Sequence, residues 1–352
     1  MFFGLKKLGS SSVIGIDFGS SSIKAIAISK GQGTYRVDGI AEAPLAKGLI
    51  VDNRFEEVDK ITAILKQIRH SFPSSFKNVA IAVTGSDVIT KVMKMNASLD
   101  ELDLESRVEI EVENSIPFPL DEIFIDFEIM GPSENDKSLN DILVSAARKE
   151  RVLSQAQCVD NSGLKTTIVD IASHALARSA EVIMTSDDYN RGVAVVDIGA
   201  TQMMLNILYQ GNVIFTRSKS HGGGLCTQML SERYGMPIQE AEQAKINGEL
   251  PADAELDVIT PFVNMTVNHL RFDLRMFTNA PNNVDVQKLI LTGGGVLMKP
   301  LAKQLRDELE FEVEIADPSL ALECKSEEEN KLLKESGAKY MMALGLALRG
   351  VS

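Results

Sequence analysis

The 352-residue chain is poor in the residues that staple or ligate. Its three cysteines, Cys158, Cys226 and Cys324, are far apart and odd in number. They read as reduced core or surface thiols in a reducing compartment, not as a disulfide framework. Its four histidines, His70, His174, His221 and His269, never fall at metal-ligand spacing, so a zinc site is not expected. No stretch of about 20 uncharged apolar residues occurs, so no segment is expected to span a bilayer. Residues 1–10 carry two lysines but no long apolar run after them, which is not the pattern of a secretory signal. Positive charge is in deficit, with 36 Lys and Arg against 49 Asp and Glu, for a net charge of −13. Such a chain repels phosphate backbones and anionic membranes, which argues against nucleic-acid binding and direct membrane insertion.

What is present is enough for a large core. Hydrophobic residues make up 44% of the chain, low-complexity sequence is rare, and the length suits two domains. Residues 13–18 form an apolar run with an acid near its end. Gly19 and three serines follow, then a second apolar run at 23–28, which together predict a β-hairpin. Residues 56–70 carry Val58, Ile61, Ile64, Leu65 and Ile68 at helix spacing, and residues 78–83 read as a strand. Residues 86–165 predict a small α+β unit inserted in the first lobe, with strands, an acidic helix over 100–114, and alternation at Ile123, Ile125, Phe127 and Ile129. A strand at 167–171 and a helix over 172–184 follow. A long amphipathic helix is predicted over 256–277, a buried strand over 288–291, and a closing small-residue helix over 337–348.

One pattern occurs twice. Residues 14–20 and 194–200 both read as an apolar strand, Asp, an apolar residue, Gly and a small residue, and each leads into a second strand. A repeat 180 residues apart implies two lobes of similar build. Three small-residue turns follow strands: Gly19-Ser20-Ser21-Ser22, Gly199-Ala200-Thr201 and Gly293-Gly294-Gly295. Such turns bring backbone N–H groups close to phosphate oxygens, and Lys24 stands within reach as a point charge. Asp17 and Asp197 would repel a bare phosphate. They make sense with hydrated Mg²⁺ between them and the nucleotide. Each turn alone also fits an ordinary connection, and Gly222-Gly223-Gly224 reads more readily as a flexible loop. The ordered combination carries the reading.

That combination resembles the actin, Hsp70 and sugar-kinase superfamily, an α/β, ribonuclease H-like two-lobe ATPase fold. The inserted unit resembles the extra subdomain of its FtsA branch. The runs at 2–5, 14–24, 113–119 and 196–199 together resemble the PilM family of type IV pilus assembly proteins. The resemblance implies a first lobe of residues 1–85 and 166–180, an insertion at 86–165, a second lobe at 181–335 with its outer part at about 222–285, and a hinge helix at 336–352. It implies ATP and Mg²⁺ as ligands, with Glu242 and Lys245 at positions that contact adenosine. Asp170, in the first connecting segment, and Asp197 are the candidates for orienting a water, and turnover is expected to be slow or negligible. The implied partner is the cytoplasmic N-terminal tail of PilN, in a groove between the insertion and the first lobe. Leu102, Leu104, Val108, Val112 and Phe118 are the candidate docking residues, with the insertion's own core as the competing use of their apolar surface. Contacts with other pilus components, including the motor ATPases, and self-association complete the expectation. The location would be cytoplasmic, peripheral to the inner membrane through PilN, because the terminal membrane helix of FtsA is not found before Ser352. A filament-forming division protein, a small-molecule kinase and a scaffold without nucleotide are the alternatives on the same fold.

Overall fold

The structure is a computed structural model and describes residues 13–31, 33–280, 284–309 and 311–351. The runs at 1–10 and 2–5 used above, and Ser352, lie outside the described residues. The chain opens with β1 (Val13–Phe18), β2 (Ser22–Lys30) and β3 (Tyr35–Pro44), three antiparallel strands joined in sequence. A small hairpin, β4 (Ile50–Val51) and β5 (Arg54–Phe55), leads to α1 (Val58–Arg69) and then to β6 (Asn78–Val83), parallel to β1. The helix forms where Ile61, Leu65 and Ile68 recur at 3.6-residue spacing, and these bury one face against the sheet.

The insertion follows as β7 (Val88–Asn96), α2 (Glu101–Ser115), β8 (Ile123–Pro132) and β9 (Leu139–Arg148), a three-stranded sheet in the order β7-β9-β8. Asp100 caps α2 by accepting the Asp103 N–H at 2.9 Å. Leu104, Val108 and Val112 fall on one stripe of α2 and are at most 4% exposed, packed on Met93, Ile142 and Val144. This corrects the expected docking surface, because the stripe at i, i+4, i+8 is consumed by the insertion's own core. Phe118 packs against the same core and lies under the Arg148 guanidinium, 4.1 Å from its centroid. Leu102 lies off the stripe and is exposed.

The expected end of the insertion also moves. α3 (Lys149–Asn161) packs on α1 and β6, and its Cys158 and Val159 join Ile61 and Leu65 in the first lobe's core. The inserted sheet therefore closes at Arg148, and α3 belongs to the lobe that carries it. β10 (Lys165–Ile171) then pairs parallel to β6, and α4 (Ala172–Ile183) crosses toward the second lobe.

The second lobe repeats the first. β11 (Gly192–Ile198), β12 (Met203–Tyr209) and β13 (Asn212–Lys219) form the same antiparallel run. α5 (Gly223–Tyr234), α6 (Ile238–Asn247) and α7 (Thr260–Thr278) follow, with a π-helical turn at Glu255–Ile259 leading into the last. β14 (Val286–Thr292), α8 (Lys299–Glu308) and β15 (Glu312–Ile315) complete the sheet. Its order is β13-β12-β11-β14-β15, against β3-β2-β1-β6-β10 in the first lobe.

The chain returns to the first lobe earlier than expected. β16 (Leu322–Glu323) pairs parallel to β3, so the crossing precedes α9 (Glu327–Ser336) and α10 (Met341–Leu348). α4 and α10 meet between the two sheets, and their close approach depends on glycine. A Cβ on Gly345 would lie 1.7 Å from the Ala175 carbonyl oxygen, and one on Gly15 2.0 Å from that of Ala343. One apolar core runs from Ile26 and Ile28 through Leu176 and Leu344 to Val195 and Leu289, across both lobes.

Candidate functional site

Asp17 and Asp197 are each the next-to-last residue of the first strand of their lobe. Both line one cavity of about 500 Å³ between the lobes. All three small-residue turns line it too, with Gly19, Ser20, Ser21 and Ser22 on one side and Gly199, Ala200, Thr201, Gly293, Gly294 and Gly295 on the other. The two lobes touch at its mouth, where the Thr201 hydroxyl donates to Ser20 Oγ at 2.9 Å.

In antiparallel register, Asp17 faces Lys24, and Asp197 faces Met204. Lys24 Nζ stands 3.4 Å from Asp17 Oδ2. Asp197 has no such cation. It accepts the Thr292 hydroxyl at 3.0 Å. Burial, then the neighbouring Asp17 charge, push its carboxyl up to about 6, against the Thr292 bond and the more distant Lys24. Ser22 donates to Glu42 Oε1 at 2.9 Å, and Glu42 is also bound by Lys339. Burial opposes the charge of Glu42, but the Lys339 bond and charge, with Ser22 and Lys24, outweigh it and hold this carboxyl below its ordinary range.

On the second lobe, Lys245 Nζ is fixed by Glu242 Oε2 at 2.7 Å, by the Thr227 hydroxyl at 2.7 Å and by the Gly223 carbonyl at 3.0 Å. Gly293 has φ +88°, and a Cβ there would lie 2.5 Å from the Ile198 carbonyl oxygen, so only glycine suits this turn. Its N–H donates to the Ala338 carbonyl at 2.8 Å, which ties the third turn to the hinge.

The glycine run at 222–224 is a part that sequence reasoning underrated. Gly223 and Gly224 N–H donate to the Gly199 and Ala200 carbonyls at 2.9 and 2.7 Å, and a Cβ on Gly222 would meet that backbone at 2.6 Å. The run braces the second turn and opens α5. Its signal was present as three glycines immediately before a helix.

Asp170 is the residue the site does not use. Its Oδ2 accepts Arg178 at 2.8 Å and its Oδ1 accepts the Ile171 N–H at 2.8 Å, and it is not among the cavity's lining residues. It braces β10 to α4, and its assignment as the residue orienting a water is corrected accordingly.

The cavity suits an anionic ligand carried with a divalent cation. Two carboxylates share it with one close lysine, and the raised Asp197 records the uncompensated charge. Among the described residues no cluster of three or more His, Cys, Asp or Glu could hold a metal alone. A hydrated Mg²⁺ takes few protein ligands and relies on phosphates for the rest, which fits this pair.

Paired sheets of one topology, with an acid-and-glycine hairpin from each converging on the cleft, define a protein of the actin-like ATPase fold. The profile of the type IV pilus assembly protein PilM family matches residues 15–351, and the chain belongs to that family. A solved PilM–PilN type IV pilus biogenesis complex matches with a TM-score of 0.83 at 24% identity, over 97% of this chain and 99% of that one. MreB5 of Spiroplasma citri bound to AMPPNP matches with a TM-score of 0.51 at 13% identity, over 96% of each chain. The cell division protein FtsA of Bacillus subtilis is 23% identical over 253 residues, which is 66% of this chain and 57% of that protein. The chain thus spans little more than half the length of that relative.

Proposed function

We propose that the cleft binds ATP with Mg²⁺, and that the protein serves type IV pilus assembly by docking the N-terminal cytoplasmic tail of PilN between the insertion and the first lobe. It would thereby link the membrane assembly complex to the cytoplasmic motor. The observation that carries the nucleotide half is the convergence of Asp17 and Asp197 on one cavity, with Lys24 beside them. The partner half is supported by family membership and by the fold shared with the protein of the PilM–PilN complex.

Asp17 and Asp197 would hold the hydrated cation, which when bound neutralises the phosphates. Lys24 would meet a phosphate as a point charge. The N–H groups of the three turns would face the phosphate oxygens, and Glu242 and Lys245 would flank the adenosine end. Asp170 is committed to Arg178, so no free carboxylate beyond the cation pair is placed to orient water. Turnover should be slow, below about 1 s⁻¹, and nucleotide would act by shifting the lobes and the insertion they carry.

Titration calorimetry of the protein with ATP·Mg, with ATP and chelator, and with a PilN tail peptide tests this directly. Saturable ATP·Mg binding that chelator weakens is expected. Absence of nucleotide heat, with folded protein in the cell, removes the nucleotide half. Absence of peptide heat in both nucleotide states removes the partner half.

A further inference from the structure

Gln155, on α3, is 5% exposed, and it lines the same cavity as Asp17 and Asp197. Its Oε1 is buried without a hydrogen-bond donor. A buried amide oxygen left unpaired is costly, and native structures retain few of them. The wall beside it is aromatic, with Phe18 and Phe55 edge to face at 4.9 Å. Thr84 and Asn53 complete this end of the cavity. Asn53 sits at the tip of the β4–β5 hairpin with φ 61°, next to Asp52 with φ 46°. Two successive non-glycine residues in the left-handed region store strain, and such strain collects at ligand sites. A Cβ on Gly85 would lie 2.9 Å from Asn53 Nδ2, so the hairpin tip rests on that glycine.

This compartment stands at the root of the insertion. Thr84 is the residue after β6, where the chain leaves the first lobe, and Gln155 lies on the helix by which it returns. A phosphate has only acceptors to offer the Gln155 oxygen and is repelled by it. The adenosine end lies on the second lobe at Glu242 and Lys245. A carboxamide presents one acceptor and one donor side by side, which matches the N–H and C=O of a peptide group in two hydrogen bonds.

We propose that Gln155 receives a peptide amide of the docked partner tail, against the Phe18–Phe55 wall, so that tail and nucleotide occupy two ends of one continuous cavity. This rests on the proposed docking of the PilN tail at the insertion. It assigns Gln155 to the tail and gives the two ligands a shared wall, Phe18, which directly follows Asp17.

The experiment is calorimetry of the full chain with a synthetic peptide of the cognate PilN N-terminal tail and, separately, with ATP·Mg, for the wild type and Gln155→Met. Methionine keeps the volume and removes both hydrogen bonds. Peptide affinity should fall about tenfold, ATP·Mg affinity should not change, and the thermal midpoint should stay at or above that of the wild type because the orphan acceptor is gone. Gln155→Ala provides a second variant with the same expectation for the two ligands. Equal peptide affinity in wild type and variants overturns the assignment and leaves the docking intact. Lost ATP·Mg affinity with retained peptide affinity overturns it in favour of the nucleotide. A wild type that binds no peptide overturns the docking and the assignment with it.

Discussion

The two lobes are built on one plan and differ at one register position. Each sheet has three antiparallel strands followed by two parallel ones, and each places an acid before the glycine of its first turn. Across from that acid, the first lobe carries Lys24 and the second carries Met204. The consequence is electrostatic. Asp17 has a cation at 3.4 Å, while Asp197 is packed away from water, faces Asp17 and titrates near 6. The repeat supplies the geometry of a clamp, and the departure from it supplies an acid that is better satisfied with a bound cation than without. The lobes also differ in what braces the turn. The second turn is hydrogen-bonded to Gly223 and Gly224, whereas the first is anchored through Ser22 and Glu42 to Lys339 at the hinge.

Replacing the two acids in turn should break the symmetry most clearly. Asp17→Ala and Asp197→Ala should each weaken ATP·Mg binding by about a hundredfold, the worth of a desolvated charge contact. Their effects on the free protein should be opposite. Asp17→Ala leaves the buried Lys24 without its closest acid and should lower the thermal midpoint. Asp197→Ala removes an acid with no cation beside it and should raise the midpoint above pH 7. Two midpoint shifts of the same sign would mean that the lobes are electrostatically alike.

The same asymmetry sets a pH dependence. The Asp197 carboxyl is raised from 3.8 to about 6 in the folded protein, so between those values the folded state holds a proton that the unfolded chain has lost. Its contribution to stability is therefore most favourable below about 4 and is lost as pH rises through about 6. Wild-type stability should fall relative to Asp197→Asn by about 1–3 kcal/mol between pH 5 and pH 8. ATP·Mg affinity should rise over the same interval as the carboxylate becomes available. Denaturant midpoints and calorimetry at several pH values check both. A smaller effect is expected from Lys24→Met, which gives the first hairpin the second's register pair. ATP·Mg affinity should drop about tenfold.

Much of this clamp was legible in the chain because it is local. An apolar run, an acid and a glycine within seven residues specify a strand end and its turn, and a second copy 180 residues on specifies a second lobe. The errors were made where a residue's use depends on what packs against it. Leu104, Val108 and Val112 form the same stripe whether they meet a partner or their own sheet, and only the β7-β9-β8 sheet decides it. Asp170 reads as a free acid at a strand end until Arg178, two turns along α4, is seen to hold it. α3 was given to the insertion because it follows β9 directly, while its buried face belongs to α1 and β6. Gln155 carried no sequence signal, since a glutamine on a helix is usually solvated.

The weakest link between the lobes gives the smallest effect. The Thr201 hydroxyl reaches Ser20 Oγ across the cavity mouth at the exposed surface, so water competes with it. Ser20→Ala should cost the free protein less than about 1 kcal/mol, the scale of a solvated hydrogen bond. The larger signature should be kinetic. If the bond holds the turns together before ligand arrives, its loss should speed ATP·Mg association while equilibrium affinity changes little, because the backbone N–H groups of the turn remain. Stopped-flow association rates for Ser20→Ala and Thr201→Val decide this. Unchanged rates in both would mean that the cleft opens and closes without regard to this contact, leaving the shared core through α4 and α10 as the connection that governs lobe motion.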